Sequence, residues 1–316
     1  MEGYYWRLWD PGSGRVVIAL CGVCRDAGGA PWAVVALAAH PGGLVRWVAA
    51  QRASADADGL ACAAFDDTAG TAVLRGSPRR LAVDLGPGAR LEASFEGREP
   101  WPRRSLTALG PAQIVPGMAQ YWHPHLLTAR ARGEADLGGA PVPGGPDPHG
   151  AAEHRGEAVS LDGWEAYAEK NWGSAFPPEW WWGQAGFGGG VMAAFAGGRL
   201  APVVLPGGGR LAATSLIVRA GGEVLRFVAP TALVRAEAGG GAWRIRARSA
   251  RHSAELEGDA AGPPHVLPVP VPAERRAIMR SDHHLAGRAR LILRRGGRIL
   301  AREETELAAL EHGTPG

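Results

Sequence analysis

The abundance of helix-breaking residues constrains the fold of this chain more than any other feature of its sequence. Glycine (47 residues) and proline (25 residues) together make up 72 of its 316 residues. In a helix interior glycine costs about 1 kcal/mol and proline about 3 kcal/mol relative to alanine, so long helices are excluded. The segments between these breakers are short and rich in aliphatic residues, which predicts β-strands.

Strand-like runs of two kinds occur along the chain. Residues 15–20 and 32–37 are largely apolar and have the length of buried strands, whereas residues 89–95 and 243–248 alternate between apolar and polar side chains. Two glycine pairs are typical of β-hairpins, namely Gly221-Gly222 between residues 215–220 and 223–228, and Gly296-Gly297 between residues 288–294 and 298–302. Short strands joined by tight turns predict an all-β fold of antiparallel barrels or sandwiches.

Charge and hydrophobic pattern bear on the partners and the location of this protein. The 34 Lys and Arg residues nearly balance 31 Asp and Glu, and the arginines are scattered, so we expect no nucleic-acid partner. The N-terminus shows no signal-peptide pattern, and the most apolar run, residues 30–39, is far shorter than the roughly 20 residues of a membrane span. We therefore expect a cytoplasmic protein, which can still contact a membrane surface transiently to collect an apolar substrate. The oligomeric state is not predicted.

The three cysteines are Cys21, Cys24 and Cys62. The spacing of Cys21 and Cys24 suits a redox or half-zinc motif, but no second pair follows. Three thiols without a signal peptide argue against a disulfide framework. We interpret them as small buried residues, with a redox or metal role as the alternative.

Residues 167–184 differ in composition from the rest of the chain. Lys170 is the only lysine, and five of the twelve tryptophans lie between Trp164 and Trp182. Apolar aromatic surface together with a carboxylate, an amine and two amides is typical of a binding pocket.

Two motifs resemble the tocopherol cyclase family. The first is Glu169-Lys170-Asn171-Trp172-Gly173, followed by Phe-Pro, further aromatics and Gln184; the second is Pro-Gly-Met-Ala-Gln-Tyr-Trp-His-Pro-His at residues 116–125. They cover about thirty residues, and Gly3-Tyr4-Tyr5-Trp6 is a weaker match. More distantly, Tyr-x-Glu-x-x-Trp-Gly is similar to the carotenoid hydratase and AttH-like proteins.

The resemblance implies two lipocalin-like antiparallel β-barrels in tandem. A Pro/Gly-rich stretch, residues 138–156, divides the chain nearly in half, and no regular element is expected there. We therefore predict an N-terminal barrel at residues 1–137, a loop or linker at 138–156, and a C-terminal barrel at 157–316 that carries the first motif.

The resembled family closes a chromanol ring, in which a prenylated hydroquinone phenol adds across the nearest alkene. Such a reaction needs an acid that protonates the alkene and surroundings that tolerate the developing tertiary cation. It also needs the substrate chain to be folded so that the phenol oxygen lies near the cationic carbon, and it implies no cofactor and no metal. Glu169 is the candidate acid, and His123 or His125 is an alternative acid or the base. The predicted catalytic residues are Glu169, Lys170, His123, Tyr167 and Asn171. The predicted substrate-binding residues are Tyr121, Trp122, His125, Trp172, Phe176, Trp180, Trp182 and Gln184.

Strand alternation would place Tyr167, Glu169 and Asn171 on one face and Lys170 and Trp172 on the other. Which face is interior stays open. The structural alternative is that Glu169 and Lys170 form ion pairs that lock the two halves of the chain together.

Functions besides ring closure fit the same residues. A hydratase or pericyclase on the same scaffold is the enzymatic alternative, and a carrier of a hydrophobic small molecule is the non-catalytic one. The His-x-His of residues 123–125 can bind a metal only with a third ligand that nothing identifies. We predict an exposed turn at His283-His284.

Overall fold

The computed structural model describes residues 1–25, 29–56, 60–66, 71–102, 106–111, 120–138, 158–204, 210–271 and 278–314. These residues form β-strands and connecting turns, with no α-helix among them, as the glycine and proline content predicts. Within the same ranges no helix is long and apolar enough to cross a membrane. Residues 116–119 of the second motif and nearly all of the predicted linker 138–156 lie outside the described residues.

The first sheet has twelve strands in the order β4-β3-β2-β1-β12-β10-β9-β8-β7-β6-β5, with β11 beside β10. Most neighbours in the sheet are also neighbours in sequence, but β12 lies between β1 and β10. The strands are β1 (Glu2–Asp10), β2 (Arg15–Cys24), β3 (Trp32–His40), β4 (Leu44–Ala50), β5 (Arg52–Asp56), β6 (Ala61–Phe65), β7 (Ala72–Gly76), β8 (Arg80–Asp84), β9 (Arg90–Pro100), β10 (Gln120–Asp136), β11 (Ala158–Ser160) and β12 (Glu165–Gly173).

The second sheet has ten strands in the order β16-β15-β14-β13-β22-β21-β19-β18-β17, with β20 beside β21. Both predicted glycine hairpins are confirmed here, since Ala220 pairs with Glu223 and Arg295 with Arg298. The strands are β13 (Trp180–Gly188), β14 (Val191–Val204), β15 (Arg210–Ala220), β16 (Glu223–Phe227), β17 (Ala232–Gly239), β18 (Ala242–Ser249), β19 (His252–Asp259), β20 (His265–Pro270), β21 (Ile278–Arg295) and β22 (Arg298–Gly313).

The chain forms two compact units, each assembled from three segments. The first contains Met1–Glu99, His125–Lys170 and His265–Arg280, and the second contains Pro100–Pro124, Asn171–Pro264 and Ser281–Gly316. The predicted division at residues 1–137, 138–156 and 157–316 stays a prediction.

The core of the first unit consists of alternate side chains from its strands. Tyr4, Trp6 and Leu8 of β1 face this core, as do Ala166 and Ala168 of β12. The three cysteines are buried and form no disulfide with one another, which agrees with their interpretation as small buried residues.

The core of the second unit is built in the same way. Trp243, Ile245 and Ala247 of β18 point into it, and the alternating arginines of that strand, at 244, 246 and 248, are exposed. The predicted separation into an aliphatic core face and an arginine solvent face is therefore confirmed for this strand.

Candidate active site

Strand β12 carries most of the first motif. It is a regular strand from Glu165 to Gly173, so the predicted alternation holds along it. Ala166 and Ala168 face the core of the first unit, and Lys170 follows them on the same face. Tyr167 and Glu169 lie on the opposite face and are buried, with 0% and 4% of their surface exposed. Both faces of β12 are therefore buried, and the face that carries Lys170 is the one that joins the core of the first unit.

Glu169 and Tyr167 form a close pair on that opposite face. The Tyr167 hydroxyl donates a hydrogen bond to Glu169 Oε2 at 2.6 Å. Burial raises the pKa of Tyr167 well above its ordinary value, and the charge and hydrogen bond of Glu169 raise it further. Tyr167 is therefore a neutral hydrogen-bond donor that holds one oxygen of the Glu169 carboxyl group.

Lys170 is bound to a residue from the start of the chain. Its Nζ lies 2.7 Å from Glu2 Oε2 and 5.0 Å from the centre of the Tyr4 ring. Burial alone would raise the pKa of Glu2, but the hydrogen bond and charge of Lys170 and the charge of Arg25 outweigh it, so this pKa is lowered. The side chains of Lys170 and Glu2 are only 7% and 15% exposed. The lysine therefore forms a buried ion pair within the first unit, on the face of β12 that does not carry Glu169.

The end of β12 continues into the second unit. Asn171 is partly buried, and its Oδ1 accepts no hydrogen bond from the part of the chain that the structure describes. Trp172 stacks on Tyr121, with ring centres 5.5 Å apart and planes inclined by 15°. Two predicted substrate-binding aromatics, one from each motif, are thus brought together.

Strand β13 carries three consecutive tryptophans on alternating faces. Trp181 lies in the core of the second unit, where its Nε1 donates to Thr214 Oγ1 at 3.0 Å. Trp180, Trp182 and the fully buried Gln184 share the other face, as the sequence predicts for Trp180 and Trp182. Phe176 packs against Trp180 with ring centres 5.3 Å apart.

The remaining predicted residues lie at the start of β10. Trp122 and His125 are buried, at 5% and 4% exposed. The ring of His123 meets that of Trp101 edge to face at 5.8 Å. Within the described ranges, no three His, Cys, Asp or Glu side chains are grouped as around a metal ion.

A buried cluster around Glu311 was not predicted. Its Oε1 accepts hydrogen bonds from Trp180 Nε1 and Ser281 Oγ, both at 2.6 Å, and its Oε2 accepts one from His283 Nδ1 at 3.0 Å. Burial alone would raise the pKa of Glu311, but the hydrogen bond and charge of His283 and the two further donors outweigh it, so this pKa is lowered. The ring of Trp182 lies against His283, with centres 5.3 Å apart.

The predicted exposed turn at His283-His284 is wrong. Both histidines lie within β21, and His283 is 1% exposed. The Asp-His-His run suggested a turn, whereas pairing of Asp282, His283 and His284 with β22 keeps the segment extended. No local pattern shows that His283 faces Glu311, because the two residues come together only through the register of β21 on β22.

The arrangement supplies two carboxyl groups in different chemical settings. Glu169 accepts a hydrogen bond from the Tyr167 hydroxyl, whose raised pKa keeps it neutral. Glu311 has three donors, including an imidazole, and is held as a carboxylate.

Known proteins resemble this chain in sequence pattern and in structure. A family model described as tocopherol cyclase-like matches residues 145–314. No relative among curated protein sequences matches this chain.

Solved structures are similar over nearly the full chain. Kievitone hydratase from Nectria haematococca is 8% identical with a TM-score of 0.52, covering 99% of this chain and 89% of its own. CghA is 13% identical with a TM-score of 0.57 (99% and 88% covered), and CghA with Sch210972 is 14% identical with a TM-score of 0.54 (98% and 87% covered). At such low identity these likenesses concern the fold, and they confirm the predicted all-β arrangement of two lipocalin-like antiparallel barrels.

The family match extends over more than half of the 316 residues and contains the Glu-Lys-Asn-Trp-Gly motif on β12. The chain belongs to the tocopherol cyclase-like family.

Proposed function

We propose that this protein is an enzyme that closes an oxygen ring on a prenylated aromatic or similar lipophilic molecule, without a cofactor, by protonating an alkene. The observation that carries the proposal is the Tyr167–Glu169 pair, a buried carboxyl group bound by a phenol hydroxyl at 2.6 Å. Membership of the tocopherol cyclase-like family supports the reaction class.

Glu169 is the group proposed to give up and recover the proton. Its carboxyl group is buried, and it accepts a hydrogen bond from the Tyr167 hydroxyl at 2.6 Å. A positioned carboxyl group can serve as a general acid when the reacting alkene lies within reach of it. Because the pKa of Tyr167 is raised well above its ordinary value, Tyr167 positions the carboxyl group and does not supply the proton.

In the proposed reaction, one residue both donates the proton and recovers it. Glu169 transfers its proton to the less substituted alkene carbon, so that a C–H bond forms, the π bond breaks and a tertiary cation remains. The substrate's phenol oxygen bonds to that carbon, and its proton returns to Glu169. The product is an isomer of the substrate, so no oxidant or reductant is consumed. His123 and His125 are the proposed alternatives for the group that receives the phenol proton.

Lys170 has a supporting role in this proposal. An ammonium group near Glu169 would favour the carboxylate and weaken the acid. The side chain of Lys170 instead lies on the other face of β12, with its charge balanced by Glu2.

The side chains proposed to bind the substrate are Tyr121, Trp122, His125, Trp172, Phe176, Trp180, Trp182 and Gln184. Each of them, and Asn171, is tested by replacement with alanine. A raised KM with little change in kcat indicates contact with the substrate.

Hydration is the alternative reaction, since kievitone hydratase is among the similar structures. Water would then capture the same tertiary cation, and a tertiary alcohol would form instead of a ring.

The test incubates purified protein with a prenylated hydroquinone in deuterated water and separates the products by chromatography. Wild type should give the ring-closed isomer with one deuterium on carbon, because the alkene takes its proton from an exchangeable group. Glu169→Gln should bind the substrate but lower turnover by about a hundredfold or more, the usual contribution of a general acid. Glu165→Gln is the matched control, since it lies on the same face of the same strand.

Each result separates one function from the rest. Equal turnover by wild type and Glu169→Gln would remove Glu169 as the acid. A deuterated tertiary alcohol would identify a hydratase, and binding by wild type with no product of either kind would identify a carrier.

A further inference from the structure

A row of side chains, three of them exposed and two partly buried, crosses five neighbouring strands of the second unit. Residues directly opposite one another in antiparallel strands point to the same side of the sheet. Register pairs link Leu233 of β17, Arg248 of β18, Ser253 of β19, Arg294 of β21 and Ile299 of β22 in that order.

Two turns lie beside this row at the ends of the same strands. The turn between β18 and β19 contains Arg251, and the turn between β21 and β22 is bounded by Arg295 and Arg298. A hydrogen bond from the backbone N of Gly296 to the carbonyl of Arg251 joins the two turns at 3.1 Å. This surface is called the basic rim, and it comprises Leu233, Arg248, Arg251, Arg294, Arg295, Arg298, Ile299 and Leu300.

The positive charge of the basic rim is only partly balanced. Arg294 pairs with Glu255 and Arg295 with Glu223. Among the residues that the structure describes, none forms an ion pair with Arg248, Arg251 or Arg298. Arg295 and Arg298 lie directly opposite each other across the hairpin, an arrangement of like charges that does not favour folding.

The basic rim also exposes aliphatic side chains. Leu233 is 62% exposed, Ile299 42% and Leu300 40%. The register of β21 and β22 shifts between Leu293 and Arg294, which leaves Leu300 without an opposite residue. Single exposed apolar residues are common, but three of them beside unbalanced arginines form a surface suited to the boundary between lipid headgroups and acyl chains.

We propose that the basic rim docks this protein on an anionic phospholipid surface. Arginines near such a surface are attracted by its negative potential, and the neighbouring aliphatic side chains enter the acyl boundary. A single-stranded nucleic acid would be expected to meet aromatic side chains on which bases stack, and the basic rim has none. The proposal rests on this surface alone and holds whatever reaction the protein catalyses.

The test is sedimentation of the full chain with vesicles. Vesicles of phosphatidylcholine with phosphatidylserine are compared with phosphatidylcholine alone, at low salt and at high salt. We expect wild type to bind the anionic vesicles at least about tenfold more strongly, and high salt to release it, because surface charges are then screened. Arg251→Glu with Arg298→Glu should weaken this binding at least about tenfold, and Ile299→Ser with Leu300→Ser should also weaken it at low salt.

The matched control is Arg79→Glu with Arg80→Glu, which changes the net charge equally at exposed sites of the first unit. Its binding should equal that of wild type. Thermal unfolding of each variant confirms that the fold is retained. The proposal is overturned if wild type does not bind anionic vesicles at low salt. It is also overturned if the control loses as much binding as the variant with Arg251→Glu and Arg298→Glu. Tighter rim-dependent binding to an RNA or DNA oligonucleotide would overturn it in favour of a nucleic-acid surface.

Discussion

The single lysine of this chain forms a buried ion pair within the Glu-Lys-Asn-Trp-Gly motif of β12. Lys170 is bound to Glu2 and lies over the Tyr4 ring, with 7% of its side chain exposed. Replacement by methionine leaves the Glu2 carboxylate without its main partner. Because Glu2 keeps Arg25 and the Tyr4 hydroxyl as partners, we expect Lys170→Met to lower the free energy of unfolding by about 1–3 kcal/mol, as measured by urea unfolding with tryptophan fluorescence.

The control for this change is an exposed ion pair. Arg90 and Asp84 are bonded at 3.0 Å, but both side chains are more than half exposed. Arg90→Met should therefore cost no more than about 1 kcal/mol. If the two variants lose the same stability, burial of the Lys170–Glu2 pair is not what makes it strong.

Acid should weaken the folded state through Glu311. A carboxyl group with a lower pKa in the folded than in the unfolded chain adds stability above its unfolded pKa, near 4.5, and that stability is lost as the pH falls further. We expect the free energy of unfolding of wild type to fall between about pH 5 and pH 3. Glu311→Gln should be less stable at neutral pH by about 1.5–3 kcal/mol and should respond less to acid.

Glu304→Gln is the control for the acid response, because Glu304 lies on the same strand with half of its side chain exposed. Its pH profile should follow that of wild type. An acid response of Glu311→Gln as steep as wild type would show that the lowered pKa of Glu311 does not contribute.

For individual side chains, the sequence predicts only relations between residues that lie close together along the chain. Alternation placed Tyr167 and Glu169 on one face and Lys170 on the other, and composition singled out the lysine. The partners Glu2 and Lys170 are 168 positions apart, and His283 and Glu311 are 28 apart. Such pairs depend on which strands are neighbours and in what register, which no local pattern encodes.

Among the strands, a recurrent device is a glycine covered by an aromatic ring. A Cβ on Gly313 would lie 2.0 Å from the Trp180 ring, and one on Gly76 would lie 2.3 Å from Trp6. Because glycine has no Cβ, the aromatic ring can pack directly over its backbone and shield it. The glycines therefore serve packing within strands as well as turns between them.

Gly313→Ala tests this device next to the Glu311 cluster. The added methyl group must displace the Trp180 ring, which donates to Glu311, so we expect a loss of about 1–3 kcal/mol in urea unfolding. Gly12→Ala is the control, since the atoms nearest to its Cβ would be those of the Asp10 carboxylate, the first at 3.3 Å. Unchanged stability of Gly313→Ala would mean that Trp180 has room to move.

Strands and hairpins were accessible from the sequence, whereas their order was not. The paired glycines predicted the β15–β16 and β21–β22 hairpins, since a hairpin is a local structure. The insertion of β12 between β1 and β10 has no local signal. The same limit concealed the basic rim: its arginines are scattered in sequence and are brought together only by register across β18, β19, β21 and β22.

At the scale of the whole chain, each compact unit is built from segments that are far apart in sequence. The first unit needs residues 1–99 together with 125–170 and 265–280. Strand β12 contributes Ala166, Ala168 and Lys170 to its core face, and it pairs with β1 on one side and β10 on the other. Removing it exposes two strand edges and leaves Glu2 without its lysine.

This organisation predicts how fragments behave. A fragment of residues 1–137 lacks β12, so we expect it to show no cooperative urea unfolding alone, because the central pairing of the first sheet is missing. Co-expression with residues 138–316 supplies β12 and should restore a cooperative transition and near-ultraviolet circular dichroism like that of the intact chain. A fragment of residues 1–173 should be more structured than 1–137, since it regains the strand and the Lys170–Glu2 pair. Cooperative unfolding of 1–137 alone would instead show that β1 to β10 close a stable sheet without β12.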